Sequence, residues 1–170
     1  GGSNRFENAA GAVLYGGERI ALGSGGVLQN AGTVSPGGAG HVVSLTIDGN
    51  LVETGTAIHW FDVDMTNVSA DQLVVTGDHT ANGVLNLGFI GPVKAARQSY
   101  SLFTVSGTSI DEGLQLGSYT VPAAMTVNLA ARNGGTWLEL TPDFAMSLRD
   151  LELSGNLDEA FAGGFSELRF

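Results

Sequence analysis

The pattern of apolar and polar positions in residues 58–87 predicts three strands joined by two polar turns. Bulky apolar residues mark the first strand, residues 72–76 form a second around an unbroken apolar run, and residues 84–87 form a third. Residues 67–71 and the Gly77-Asp78 pair supply turn-forming side chains between them. Strands of about five residues with short turns and no intervening helix indicate an all-β protein.

Residues 11–40 repeat this pattern in shorter units. Apolar residues recur about every seven residues between Gly or Asn turns, which is typical of an imperfect internal repeat. They are Val13/Leu14, Ile20/Leu22, Val27/Leu28 and Val34. Because each unit is too small to bury its own apolar face, the pattern predicts a solenoid whose coils stack on one another. The short strands favour a parallel β-helix over a sandwich.

The remaining segments are assigned by the same criteria. Asp48-Gly49-Asn50 is also a good hairpin turn, so a local antiparallel pair competes with the solenoid there. We predict a connecting loop at 88–97, a strand at 100–105, a polar loop at 106–118, strands at 119–121, 125–129 and 137–140, and a tight hairpin turn at 133–135. A further strand is predicted at 145–153.

A short helix is predicted at the end of the chain, within residues 154–170. Four apolar residues follow a 4-4-3 spacing, which is helical: Leu157, Phe161, Phe165 and Leu168. Asn156 is a candidate cap, whereas Gly163-Gly164 weakens the helix.

Composition narrows the choice of partners. The chain has 170 residues, enough for one domain, and carries a net charge of −10 with isolated basic residues and no cysteine. No basic patch exists to neutralise a phosphate backbone, so nucleic acid is not expected as a partner, and the same holds for anionic membrane surfaces. The Gly1-Gly2-Ser3 start is typical of an expression tag, and we expect the chain to be an excerpt of a longer protein.

Five motifs follow one another along the chain: Trp-Phe-Asp-Val-Asp (60–64), Asp-Gln-Leu-Val-Val-Thr-Gly (71–77), Val-Leu-Asn-Leu (84–87), Tyr-Ser-Leu-Phe-Thr-Val (100–105) and Trp-Leu-Glu-Leu (137–140). Their order resembles the C-terminal part of autotransporter passenger domains, the pertactin-like proteins of Gram-negative bacteria. The segment 30–38 resembles the coil that precedes them in that family. The resemblance covers roughly residues 26–141, and the order of the motifs is more specific than any one of them.

The resemblance implies a right-handed parallel β-helix whose last coils act as a folding nucleus, the autochaperone region. Together with the composition, it divides the chain into a tag or flexible start (1–10), Gly-rich β-helix coils (11–57), autochaperone-like coils (58–141) and a terminal strand with a linker-like tail (142–170). It further implies a secreted, cell-surface passenger of a Gram-negative bacterium, with a membrane β-barrel of the same polypeptide outside this chain. A role in adhesion to a host or cell-surface ligand, and weak self-association through the cut coil ends, are also expected.

Two groups of residues are candidates for a metal or catalytic site. Asp62 and Asp64 alternate on one strand and share a face, and with Asp71 they could serve glycosidase chemistry or bind calcium. We favour a solvated strand edge with Asp71 capping a turn. The three histidines, His41, His59 and His79, lack ligand spacing and are interpreted as surface or edge residues.

A carbohydrate platform is the alternative reading of the aromatic residues, which we interpret mainly as core or as caps of the solenoid. They are Trp60, Phe61, Phe103, Tyr119 and Trp137. The Ser24-Gly25-Gly26 turn lacks the Gly-Lys-Ser/Thr of a phosphate loop. The sequence therefore predicts a non-enzyme with no catalytic, cofactor or metal residue. The alternative is a β-helix polysaccharide lyase or hydrolase, for which Lys94 and Arg97 are the only nearby basic pair.

Overall fold

The computed structural model describes residues 4–92, 96–120, 125–132 and 134–142, and within these ranges the chain forms strands and turns without a helix. The strands run, in chain order, β1 Arg5–Asn8, β2 Val13–Gly16, β3 Arg19–Ala21, β4 Val27–Asn30, β5 Thr33–Pro36, β6 Ser44–Asp48, β7 Asn50–Glu53, β8 Ile58–Asp64, β9 Ser69–Ala70, β10 Gln72–Val75, β11 His79–Ala81, β12 Val84–Ile90, β13 Gln98–Val105, β14 Ser109–Asp111, β15 Gln115–Tyr119, β16 Met125–Arg132 and β17 Gly135–Pro142.

The strands form three sheets, and each coil of the chain contributes one strand to each sheet. The first sheet has the order β1-β4-β7-β11-β14, the second β2-β5-β8-β12-β15 and the third β3-β6-β10-β13-β17-β16. From β1 to β15 the neighbours within each sheet are parallel, apart from the short β9, which pairs antiparallel with β8. The predicted parallel β-helix is therefore confirmed, with four coils and the start of a fifth.

Inward-facing side chains stack in columns that run along the solenoid. In the third sheet Leu45 lies beside Leu73, and Leu73 beside Phe103, and all three side chains are buried. Burying one such side chain contributes about 1.5–3 kcal/mol relative to leaving it exposed. The alternation seen in the sequence thus places one set of residues inside every coil and the other set on the surface.

A hairpin closes the third sheet. Strands β16 and β17 are antiparallel, with Arg132 opposite Gly135, which confirms the hairpin predicted between these two strands. Strand β17 also pairs antiparallel with β13 and ends the parallel stacking in that sheet. Gly135 lies so close to the carbonyl oxygen of Phe103 that a side chain there would clash with backbone.

Two local predictions were wrong, and one open alternative is settled. At Asp48-Gly49-Asn50 the chain turns a corner between the third and first sheets and does not form the competing antiparallel pair, because β6 and β7 pair with different neighbours. Residues 106–118 contain β14 and most of β15 instead of a loop, because parallel backbone pairing with β11 and β12 stabilises these strands whatever their side chains. The strand predicted at 119–121 lies earlier, at 115–119.

The predicted flexible start, residues 1–10, includes β1, which pairs with β4 along its whole length. The strand predicted at 145–153 and the helix predicted within 154–170 lie outside the described residues.

Candidate functional site

The carboxylates of Asp62 and Asp64 point outward from β8, so the two residues share a face as predicted. Each of them binds backbone amides of a nearby loop. Asp62 accepts hydrogen bonds from the backbone N–H groups of Gly40 and His41. Asp64 accepts from the N–H groups of Thr66 and Asn67 at 2.8 and 3.0 Å. Both carboxylates therefore order turns.

Asp71 is buried, so it does not belong to a solvated strand edge as predicted. Its side chain is only 1% exposed and accepts hydrogen bonds from the backbone N–H groups of Val43 and Asp62, both at 2.8 Å. Burial raises the pKa of Asp71 to about 7, and the two backbone hydrogen bonds oppose that rise. The residue joins the backbones of two successive coils, a role that depends on long-range register.

Two of the three histidines are buried, contrary to prediction. His41 is exposed as predicted, but His59 is 0% and His79 1% exposed. His59 lies in a column between Val34 and Leu85 and occupies a position that neighbouring coils fill with aliphatic residues.

Glu53 connects the two buried histidines. Its Oε1 lies 2.8 Å from His59 Nε2, and its Oε2 lies 3.3 Å from His79 Nε2. The His59 contact has the distance of an ion pair but not the angle of a hydrogen bond, whereas His79 makes a hydrogen-bond contact. Burial by itself would raise the pKa of Glu53, but attraction to His59 and the contacts with both rings lower it to about 2. The carboxylate is therefore ionised inside the solenoid.

Aromatic rings enclose this triad. The Phe103 ring stacks on His79 with centroids 5.1 Å apart and meets His59 edge-on at 5.3 Å. Phe61 lies 5.6 Å from His59. The Nδ1 atoms of both histidines have no hydrogen-bond partner among the described residues. Because no substrate reaches a site enclosed in this way, the arrangement acts on stability and its pH dependence.

Glu53 was not a candidate in the sequence analysis, although a signal for the column it occupies is present. Asn8 lies beside Asn30, and Asn30 beside Glu53, so one inward column reads Asn-Asn-Glu. The Asn8 side chain donates a 2.8 Å hydrogen bond to Asn30 Oδ1. For His59, the alternation with Phe61 and Val63 marks the inward face of β8.

The predicted aromatic residues divide between core and surface. Phe61 and Phe103 are fully buried, Trp137 is half-buried, and Trp60 and Tyr119 are exposed. Trp60 lines a groove of about 300 Å³ on the outer face of the second sheet. The other lining residues are Val13, Tyr15, Thr33, Ser35, Ala39, Phe61 and Asp62.

The basic residue considered for a lyase mechanism is engaged elsewhere. Arg97 forms an ion pair with Glu139 at 2.8 Å, and Glu139 also contacts Arg132. Lys94 lies outside the described residues. Within the described part of the chain, no group of three or more His, Asp or Glu side chains is placed to bind a metal ion.

No protein-family model matches the chain, and no curated protein matches it either. The described residues include no helix that is long and apolar enough to cross a membrane.

Proposed function

We propose that this chain is the C-terminal β-helical segment of an autotransporter passenger domain and that residues 58–141 act as its folding nucleus. The observation that carries the proposal is the closing hairpin. In the resemblance, a Trp-x-Leu strand closes the unit; the corresponding residues here read Trp-Leu-Glu-Leu (137–140), so Glu139 stands where the motif has Leu. The strand that contains them, β17, pairs antiparallel with β13 and ends the parallel stacking of the third sheet. β13 itself contains the Tyr-x-Leu-Phe motif.

The distribution of buried side chains supports the same proposal. Among the residues that the structure describes, the largest buried rings and the buried methionine all lie within 58–141: Phe61, Met65, Tyr100 and Phe103. Residues 11–40 bury only aliphatic side chains in the core, namely Leu22, Leu28 and Val34. Large side chains bury more apolar area, so the third and fourth coils gain more hydrophobic free energy on folding.

The role we propose is structural and not catalytic. Asp62 and Asp71 are engaged with backbone amides, and Arg97 is paired with Glu139. A passenger segment of this kind works at the surface of a Gram-negative bacterium, attached during export to a membrane β-barrel of the same polypeptide.

Fusing this chain to the membrane β-barrel of an autotransporter tests the proposal in cells. The readout is the amount of surface-exposed, protease-resistant chain. We expect the wild-type chain to be displayed and Phe103→Ala to reduce the displayed, folded fraction several-fold. Val52→Ala, on the outer face of β7, is the matched control and should leave display unchanged. Equal display of wild type and Phe103→Ala would contradict a folding nucleus in these coils, and so would failure of the wild type to be displayed.

A further inference from the structure

The groove on the second sheet is flanked by two exposed aromatic rings. Tyr15 on β2 lies beside Ser35 on β5, and continuing the register of β5 and β8 by one residue places Trp60 next to Ser35. Tyr15 is 65% and Trp60 46% exposed, whereas the small Ser35 between them is buried. Adjacent strands lie about 4.8 Å apart, so the two aromatic residues start from backbones about 10 Å apart.

That spacing leaves room for one six-membered ring between the aromatic side chains. Carbon atoms in contact lie about 3.5–4.0 Å apart, so a ring touching both neighbours needs at least about 7–8 Å. The side chain at the middle strand is a serine, which leaves the space open and presents a hydroxyl on the floor of the groove.

The glycine-rich loop of residues 37–41 forms one wall of the groove, and hydrogen bonds to a side chain of β8 hold the loop in place. The carboxylate of Asp62 accepts hydrogen bonds from the N–H groups of Gly40 and His41, which holds this loop over β8. At Gly38 an added Cβ would lie 3.8 Å from the Tyr15 ring, so the loop contacts the first aromatic residue. Gly38 and Gly40 have φ of 72° and 83°, a conformation that side chains disfavour. The fold therefore fixes the position and conformation of this wall.

The groove offers stacking surfaces and hydroxyl groups but no cation. Thr33 and Ser35 contribute hydroxyls, Asp62 contributes a carboxylate, and neither Lys nor Arg lines the groove. With a net charge of −10 on the chain, an anionic ligand such as a polyuronate would be repelled. A peptide cannot add as a strand here, because β5 is already paired with β2 and β8 on its two sides.

From this chemistry we propose that the groove binds a neutral glycan chain. One sugar ring lies between Tyr15 and Trp60, and its hydroxyls bond to the polar side chains on the floor. The proposal concerns the outer face of the solenoid and does not rest on the folding role proposed above. Aromatic-lined concave sites with a few convergent polar groups are the usual form of small-ligand sites in proteins.

Calorimetric titration of the full chain tests the proposal, with the neutral hexasaccharides of cellulose, chitin and β-1,3-glucan as probes and a galacturonate oligomer as the anionic comparison. We expect at least one neutral probe to bind at millimolar concentration or below, and the galacturonate oligomer to bind more weakly. Trp60→Ala and Tyr15→Ala should each weaken binding about two- to tenfold, because an aromatic contact contributes about 0.5–1.5 kcal/mol.

Two further variants make the test specific. Ala39→Trp should fill the groove and abolish binding, since Ala39 is an exposed lining residue. Tyr119→Ala, an exposed aromatic on the same sheet away from the groove, should bind as the wild type does. Unchanged melting temperatures of all variants confirm that they fold. The proposal is overturned if no neutral probe binds, if only the galacturonate oligomer binds, or if affinity is indifferent to Trp60→Ala and Ala39→Trp.

Discussion

Replacing Glu53 by glutamine should remove a specific part of the pH dependence of stability. In the folded chain the pKa of Glu53 is about 2, against an ordinary value of 4.5. Because the folded-state pKa lies below the unfolded value, the stabilisation is full above about pH 4.5 and is lost as the pH falls toward 2. At about 1.4 kcal/mol for each unit of pKa, the ionised carboxylate contributes about 3 kcal/mol at neutral pH.

The assay is urea unfolding of the wild type and Glu53→Gln, followed by tryptophan fluorescence between pH 6 and pH 3. At pH 6 we expect the variant to be less stable by about 3 kcal/mol, since both histidines lose a charged partner. By pH 3 this difference should shrink by about 2 kcal/mol, as the unfolded wild type takes up a proton that the folded wild type does not. Other carboxylates titrate in both proteins and cancel in the difference.

Glu7→Gln, at an exposed position of β1, is the matched control and should show neither effect. A difference between the wild type and Glu53→Gln that stays constant from pH 6 to pH 3 would refute the reasoning. So would a Glu53→Gln variant as stable as the wild type at pH 6.

Four further substitutions test other parts of the structure, each by the free energy of unfolding. Phe103→Ala should cost about 3–5 kcal/mol, because the Phe103 ring is fully buried. Trp137→Ala should cost only about 1–2 kcal/mol, because the Trp137 ring is half-buried. Equal losses of stability would be inconsistent with the burial described. The pKa of Asp71 is raised to about 7, so the stability that its protonated form contributes is full below pH 3.8 and is lost as the pH rises through 7. Asp71→Asn should therefore make the free energy of unfolding less dependent on pH in this range. An unchanged pH dependence would contradict the raised pKa. Val68, an exposed residue with φ of 55°, is strained, so Val68→Asn should stabilise the chain by about 1 kcal/mol; a loss of stability would show that the turn tolerates valine.

The solenoid could be predicted because its signal is local. Alternation within residues 58–87 and the short apolar units of 11–40 each depend on neighbours in sequence, and both correspond to strands of the three sheets. The hairpin between β16 and β17 is equally local, because Gly134, with a φ of 73°, suits a tight turn by its backbone conformation alone. Residues 106–118 were missed because their strands are stabilised by pairing with the previous coil.

The buried polar residues could not be predicted for a related reason. Glu53 and His79 belong to successive coils, and their contact depends on a register that places His79 beside Leu51. A single charged residue or histidine is most often exposed, so sequence favours the surface for each of them taken alone. Asp71 is a similar case, since its partner Val43 lies 28 positions away. The groove could not be predicted for the same reason, because its residues come from three coils that must first stack on one another.

Native-state hydrogen exchange on the whole chain most directly tests whether residues 58–141 form the folding nucleus. The amides of residues 71–140 should exchange most slowly, with protection that reaches the global free energy of unfolding. Amides of residues 11–40 should exchange faster, through partial openings that leave the third and fourth coils folded. If residues 11–40 exchange as slowly as residues 71–140 or more slowly, the nucleus lies elsewhere and the autochaperone role proposed for this chain is contradicted.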